Sequence, residues 1–150
     1  MRRYALNIAY DGTRFHGWQK QHPPDSEPLR TVQEVMEAAV QELVREPVHV
    51  LGASRTDSGV HAEGQVVSFL SPREFNPEIL PAAITSRLPE DVQVRSAWET
   101  ETVFNPIGDA VSKGYRYRIA HARMTADLRP LFDRHVTAWC PNSLDVEAMK

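Results

Sequence analysis

The residues best suited to chemistry lie in one stretch, Gly52-Ala53-Ser54-Arg55-Thr56-Asp57-Ser58-Gly59-Val60-His61-Ala62-Glu63-Gly64-Gln65-Val66, which gathers carboxylates, a guanidinium, an imidazole and three glycines. Arg55 precedes Asp57 by two positions, so in extended backbone their side chains share a side. A guanidinium that close keeps a carboxylate ionised and therefore nucleophilic. On composition alone the same cluster is a turn carrying a solvated ion pair worth ~0 to 1 kcal/mol, and that plainer reading is favoured until residue order is considered. Glu63 is the nearest second carboxylate for a two-carboxylate glycoside or nucleoside hydrolase, but no partner spacing supports that chemistry.

The flanking runs, Val48-His49-Val50-Leu51 and Val66-Val67-Ser68-Phe69-Leu70, are short, apolar and β-branched, as strands are. The reactive cluster therefore sits on a strand-to-strand loop, exposed yet held by rigid neighbours. Upstream, Tyr4, Leu6, Ile8 and Tyr10 alternate with Ala5, Asn7 and Ala9, predicting a strand with one buried face. Thr31 with Glu34 forms a capping box, and Val32, Val35, Met36, Ala39, Val40, Leu43 and Val44 recur at helical spacing through about Arg45. Asn76-Pro77-Glu78 predicts a second helix running to Pro89, with Pro81 early enough to kink it. Val92, Val94, Ser96 and Trp98 then alternate in a further strand.

This order, β-α-β-β-α-β, predicts an α+β, ferredoxin-like unit with an antiparallel sheet covered on one face by two helices. The open face of such a sheet can take an RNA strand. Its expected extent is 1–103, and 104–150 reads as the beginning of a second α+β domain. There Val111, Lys113, Tyr115, Tyr117 and Ile119 alternate as a strand, His135 to Trp139 read as another, and Asn142 or Ser143 caps a helix over 144–149. That helix is too short to bury a useful stripe, so the chain reads as cut inside its second domain.

Between the first strand and the first helix, a loop with Arg14, Phe15, Trp18 and Lys20 interleaves cations with aromatic rings. Such a loop binds phosphates and stacks bases, or else is pinned by Phe15 and Trp18 packing into a core edge. Residues 22–30 form a Pro- and Ser-containing linker. The net charge of -3 argues mildly against nucleic acid, yet its distribution is uneven. Residues 1–22 and 102–135 each sum to +3, whereas 25–47 and 74–101 each sum to -4. No apolar run approaches the ~20 residues of a membrane span, and a cytoplasmic location is the default. The single cysteine, Cys140, and six scattered histidines offer no metal cage.

Residue order changes the weighting. Arg55-Thr56-Asp57-Ser58-Gly59-Val60-His61-Ala62, followed by Gln65, resembles the catalytic signature of the TruA-type tRNA pseudouridine synthases. Tyr10-Asp11-Gly12, Phe15 and Gly17-Trp18-Gln19 resemble the opening loop of that family, and Lys113-x-Tyr115-x-Tyr117 its tyrosine strand. The resemblance implies Asp57 as the catalytic carboxylate and Arg55 as a group holding the flipped nucleotide or the space it left. It also implies Tyr115 as the active-site tyrosine, substrate contact for Arg14, Phe15, Trp18 and Lys20, and loop-shaping for Gly59, His61 and Gln65. It further implies tRNA as partner, uridines 38 to 40 of the anticodon stem-loop as targets, a homodimer of longer chains, and neither cofactor nor metal. Ile107 stands where many relatives carry an arginine. A non-catalytic RNA-binding module of the same fold, or an inactive fragment, is the alternative.

Overall fold

Alternation along the first strand has the expected consequence. In the computed structural model, β1 spans Arg2–Tyr10 and buries Tyr4, Leu6, Ile8 and Tyr10 on one side. The described residues are 1–21, 27–122 and 129–149; residues 22–26 of the expected linker lie outside them. They form two compact units, Met1–Val111 and Ser112–Lys150.

In the first unit β3, Ala62–Ser71, pairs antiparallel with β1, setting Val67 opposite Leu6 and Phe69 opposite Tyr4. On the other edge of β1 lies β4, Val92–Thr100, also antiparallel. The short β2, Leu51–Gly52, joins the far edge of β3, so the order is β2-β3-β1-β4. With α1, Val32–Val44, after β1 and α2, Leu80–Thr85, after β3, this is the predicted ferredoxin-like unit. Val32, Met36, Val40 and Val44 of α1 and Leu80 and Ile84 of α2 share one core with Tyr4, Leu6, Ile8, Val67 and Phe69. Both helices therefore cover the same face of the sheet. The buried Tyr4 phenol accepts from Phe75 N at 2.8 Å while its ring packs against Phe69 and Phe75, so burial leaves no polar atom stranded there.

Helix α1 begins where its cap residue places it: Thr31 Oγ1 accepts from Glu34 N, and the helix ends at Arg45 in the left-handed conformation, φ 65°. Helix α2 is shorter than expected. Asn76 Oδ1 accepts from Glu78 N, turns lead in, and Pro81 falls in the first helical turn, where its missing N–H breaks no ladder and no kink is needed. Beyond Thr85, Arg87 N and Leu88 N bond three residues back, tightening the end.

Two expectations near the reactive loop need correction. The strand expected over 48–51 pairs only at Leu51–Gly52, because α1 side chains take the backbone of Val48 and Val50: Gln41 Nε2 donates to Val48 O, Gln33 Nε2 to Val50 O, and Glu37 Oε1 accepts from Val50 N. Strand β3 starts at Ala62 rather than Val66, so the loop proper is 53–61 and Gln65 is a strand residue.

The second unit holds β5, Ile119–His121, and β6, Ala138–Cys140, paired parallel. The long strand expected from 110 is reduced to β5, since its partner is only three residues long and residues 110–118 gain no ladder. Val111 and Tyr117 are exposed. The helix expected over 144–149 is a turn in which Asp145 Oδ1 accepts from Ala148 N, in keeping with the cost of nucleating so short a helix.

Thr31→Ala removes the acceptor for Glu34 N and should cost about 0.5 to 2 kcal/mol, whereas Thr31→Ser should retain most of it. Urea unfolding followed by circular dichroism measures the difference, and equal midpoints for the two variants would count against the cap.

Candidate active site

The two loops singled out by the sequence are one structural body. The backbone of residues 15–18 lies between α1 and the loop 53–61. Val32 N and Gln33 N, in the first turn of α1, donate to Gly17 O at 3.2 Å and Trp18 O at 3.0 Å. On the other side Trp18 N donates to Thr56 O at 3.0 Å, and Gly59 N and Ser58 Oγ donate to Phe15 O at 3.1 and 3.2 Å. Gly17 has φ +84°, and a Cβ there would stand 2.6 Å from Thr56 O, so both conformation and space require glycine. The Tyr10 hydroxyl, whose pKa burial pushes up, bonds Thr56 Oγ1 at 2.8 Å from below.

Asp57 opens a reverse turn. Val60 N donates to Asp57 O at 3.2 Å, and Gly59, two residues after Asp57, has φ +80°, as the third position of a type II turn demands. The Asp57 side chain is exposed at the tip, and Arg55 is exposed beside it. Among the described residues neither group makes a side-chain hydrogen bond or ion pair. The close Arg55–Asp57 pair expected from extended backbone is therefore not formed. Thr56 is pinned on both its carbonyl and its hydroxyl, and the chain turns immediately after Asp57, through Ser58 and Gly59.

The rest of the signature braces this loop. Gly12 N donates to His61 Nδ1 at 3.3 Å, and Asp11 Oδ1 lies 3.1 Å from the same nitrogen. Asp11 also caps the 3-10 turn Gly12–Arg14, accepting from Thr13 Oγ1 and Thr13 N, and these bonds, with the charge of Arg14, hold its carboxyl below the usual range. Gln65 is buried and its Nε2 donates to Ser54 O, at the loop's other end.

Phe15 and Trp18, expected at a substrate surface, are core residues, 2% and 3% exposed. Their rings pin the loop, with the indole over Gly52, where a Cβ would meet it at 2.6 Å. Burial, not display, is what those two aromatics bring here. Arg14 is exposed and pairs with Glu90 at 3.0 Å and Asp91 at 3.4 Å. Lys20 lies 3.5 Å from Glu37. Tyr115 belongs to the second unit, 66% exposed. Ile107 is exposed in a turn where its N–H donates to Asn105 Oδ1 at 2.9 Å. Among the described residues no three His, Cys, Asp or Glu side chains gather as a metal would need.

The sequence reading passed over the pair formed by Arg30 and Asp91. Arg30 grips Asp91 with both terminal nitrogens, at 3.0 and 2.8 Å, and its guanidinium lies 3.9 Å over the Phe15 ring. Its carbonyl accepts from His16 N, and Asp91 O accepts from Asp11 N, so the pair fastens both ends of residues 11–16. Arg30 was hidden in an apparent linker, and its partner stands far along the chain.

Comparison with known proteins follows the same residues. A family model described as tRNA pseudouridine synthase matches residues 7–105. The chain is 42% identical over 149 residues to a tRNA pseudouridine synthase A of Methylacidiphilum infernorum, covering 97% of this chain and 54% of that protein. Proteins of the same description from Pelobacter propionicus, 40% identical over 150 residues, and Thermotoga maritima, 36% identical over 151, match all of this chain and 58% of their own length. The chain thus spans little more than half the length of the curated relatives it matches.

The Arg30–Asp91 fork makes stability depend on pH. Hydrogen bonding by Arg30, followed by the charges of Arg30 and Arg14, holds the Asp91 carboxyl below its ordinary range. A depressed folded pKa contributes stability that is present above the unfolded value, about pH 4, and is lost as pH falls through the folded value. Asp91→Asn should therefore cost about 1.5 to 3 kcal/mol at pH 7, and the gap to wild type should close below about pH 4. Thermal unfolding of both proteins across pH 2 to 7 measures this, and a gap independent of pH would exclude Asp91 as the titrating group.

Proposed function

Because the chain belongs to the tRNA pseudouridine synthase family, we propose that it supplies the catalytic carboxylate, Asp57, for converting uridine to pseudouridine in the tRNA anticodon stem-loop, at positions 38 to 40. The observation that carries this reading is the exposed Asp57 carboxylate, uncommitted among the described residues, on a loop fixed by backbone bonds from both sides.

The reaction is an isomerisation: the N1–C1′ bond breaks, the base turns, and a C5–C1′ bond forms while the C5 proton leaves and N1 takes up a proton. It needs neither oxidant nor reductant. The target base has to be unstacked first, at a cost of about a few kcal/mol. Asp57 then adds either to C6 of the base or to C1′ of the sugar, and both routes use a carboxylate free of other partners. Arg55, also exposed, is placed to meet phosphate or the gap left by the flipped nucleotide. Arg14 and Lys20 add positive charge at the loop's flank, each shared with a carboxylate. Their contribution to RNA binding is thereby weaker than that of a free cation.

On this reading residues 1–103 are the amino-terminal catalytic domain and 104–150 begin a second α+β domain, from which Tyr115 stacks on the extruded base. Gly59, His61 and Gln65 hold the loop's shape. The working protein is a cytoplasmic homodimer on tRNA.

Release of tritium from tRNA labelled at uridine C5, measured with full-length protein, tests the assignment. Asp57→Ala should lower the rate on the order of 10^4-fold or more. Surviving activity would remove Asp57 from the chemistry, and no release from wild type would favour a non-catalytic RNA-binding module. Tyr115→Phe should keep most of the tRNA affinity and Tyr115→Ala lose about 1 to 3 kcal/mol of it; equal binding by the two would argue against stacking.

A further inference from the structure

Helix α1 has a second face besides its apolar stripe. Gln33, Glu37 and Gln41 recur every four residues and so stand in one row along it. Gln33 and Glu37 are buried. Glu37 Oε1 meets His49 Nδ1 at 2.8 Å, Val50 N at 3.2 Å and Gln33 Nε2 at 3.3 Å, while Oε2 lies 3.5 Å from Lys20 Nζ. Gln33 Nε2 also donates to Val50 O at 3.0 Å, and Gln33 Oε1 accepts from Lys20 N at 3.0 Å. Gln41 Nε2 completes the row by donating to Val48 O at 3.1 Å.

The row holds two chain segments at once. One is residues 48–50, which run directly into the loop 53–61; the other is residues 18–20, whose Trp18 N–H holds Thr56, the neighbour of Asp57. We infer that Gln33 and Glu37 are positioning residues for the Asp57 loop, acting through Val50 and, by way of Lys20, the adjoining Trp18, and not on the substrate. The inference rests on the reading of Asp57 as the reacting group. An apolar face on α1 could bury the same area but could slide along segments 18–20 and 48–50. A buried carboxylate and amide cannot, since each displaced bond strands a polar atom away from water. The register of both segments against α1 is thereby single-valued, and through Thr56 so is the position of Asp57. A displacement of about 1 Å at a reacting group can cost on the order of 100-fold in rate.

Gln33→Met keeps the volume and removes the bonds to Lys20, Val50 and Glu37; Glu37→Gln keeps the shape and removes the charge that faces Lys20 and His49. In full-length protein, single-turnover tritium release with enzyme in saturating excess reports the rate constant independently of any inactive fraction. That constant should fall about 10- to 100-fold in Gln33→Met and less in Glu37→Gln. Amide hydrogen exchange should accelerate at Trp18 and Gly59 in both variants while Leu6 and Val67, at the centre of the sheet, keep wild-type protection. A smaller active fraction with an unchanged rate constant would mean a purely structural role and overturn the inference, as would unchanged exchange at Trp18 and Gly59. If wild type releases no tritium, the catalytic reading fails by itself. Exchange at those two amides then decides whether the row sets the loop.

Discussion

The first turn of α1 has three N–H groups that no carbonyl of the helix can reach, and where they are satisfied fixes most of what surrounds the loop that carries Asp57. Glu34 N finds the Thr31 hydroxyl, but Val32 N and Gln33 N find the carbonyls of Gly17 and Trp18. The opening loop is thus the cap of the helix. Because the Gly17 carbonyl points at α1, the Trp18 N–H of the same trans peptide points the other way and meets Thr56 O. The requirement that buried backbone groups be paired therefore transmits the position of a rigid helix to the residue beside Asp57.

Charge follows the same economy. The acidic residues that leave segments 25–47 and 74–101 with an excess of negative charge are not all a solvated outer face. Glu37 is buried among Lys20, His49 and the amide of Val50, and Asp91 among Arg30 and Arg14. Each of these carboxylates fastens the opening loop to an element distant in sequence. Arg14 and Lys20, which look like free phosphate contacts in a linear reading, are partly neutralised by them. Arg55 differs in kind, since among the described residues its guanidinium has no carboxylate partner.

What was legible in the sequence had a period. β1, α1 and the order of elements follow from two- or 3.6-residue repeats that tertiary contacts reinforce, whereas the repeat of β4 holds only through Val94, beyond which a register shift turns Trp98 outward and Ala97 to the core. The length of β2 was not legible, because Val48 and Val50 are bonded by side chains of Gln41, Gln33 and Glu37 whose helical row was masked by the stronger apolar stripe beside it. Phe15 and Trp18 have a pattern shared by stacking loops and pinned loops, and only burial separates the two. Arg30 and Asp91 carry no local signal at all, since the fork that joins them exists only after β1 and β4 have paired. The strand expected from 110 to 119 has the right alternation but lacks, among the described residues, a partner long enough to pair with it.

The division of labour at the loop explains why these features coexist. On the proposed function, a carboxylate that bonds to its substrate is kept out of structural hydrogen bonds while its position is fixed beforehand. Here fixation is carried by backbone groups of Thr56, Asp57 and Gly59 and by the hydroxyls of Tyr10, Thr56 and Ser58, leaving the Asp57 side chain outside the network. Side-chain hydrogen bonding is found one layer back, at Gln33, Glu37, Arg30 and Asp91, which join the neighbouring segments and leave the Asp57 side chain alone. An Arg55–Asp57 ion pair would undo that separation by occupying the carboxylate in the resting state. Beyond Asp57 the chain turns at once through Gly59 to Val60, and among the described residues neither Asp57 nor Arg55 is tied to the other.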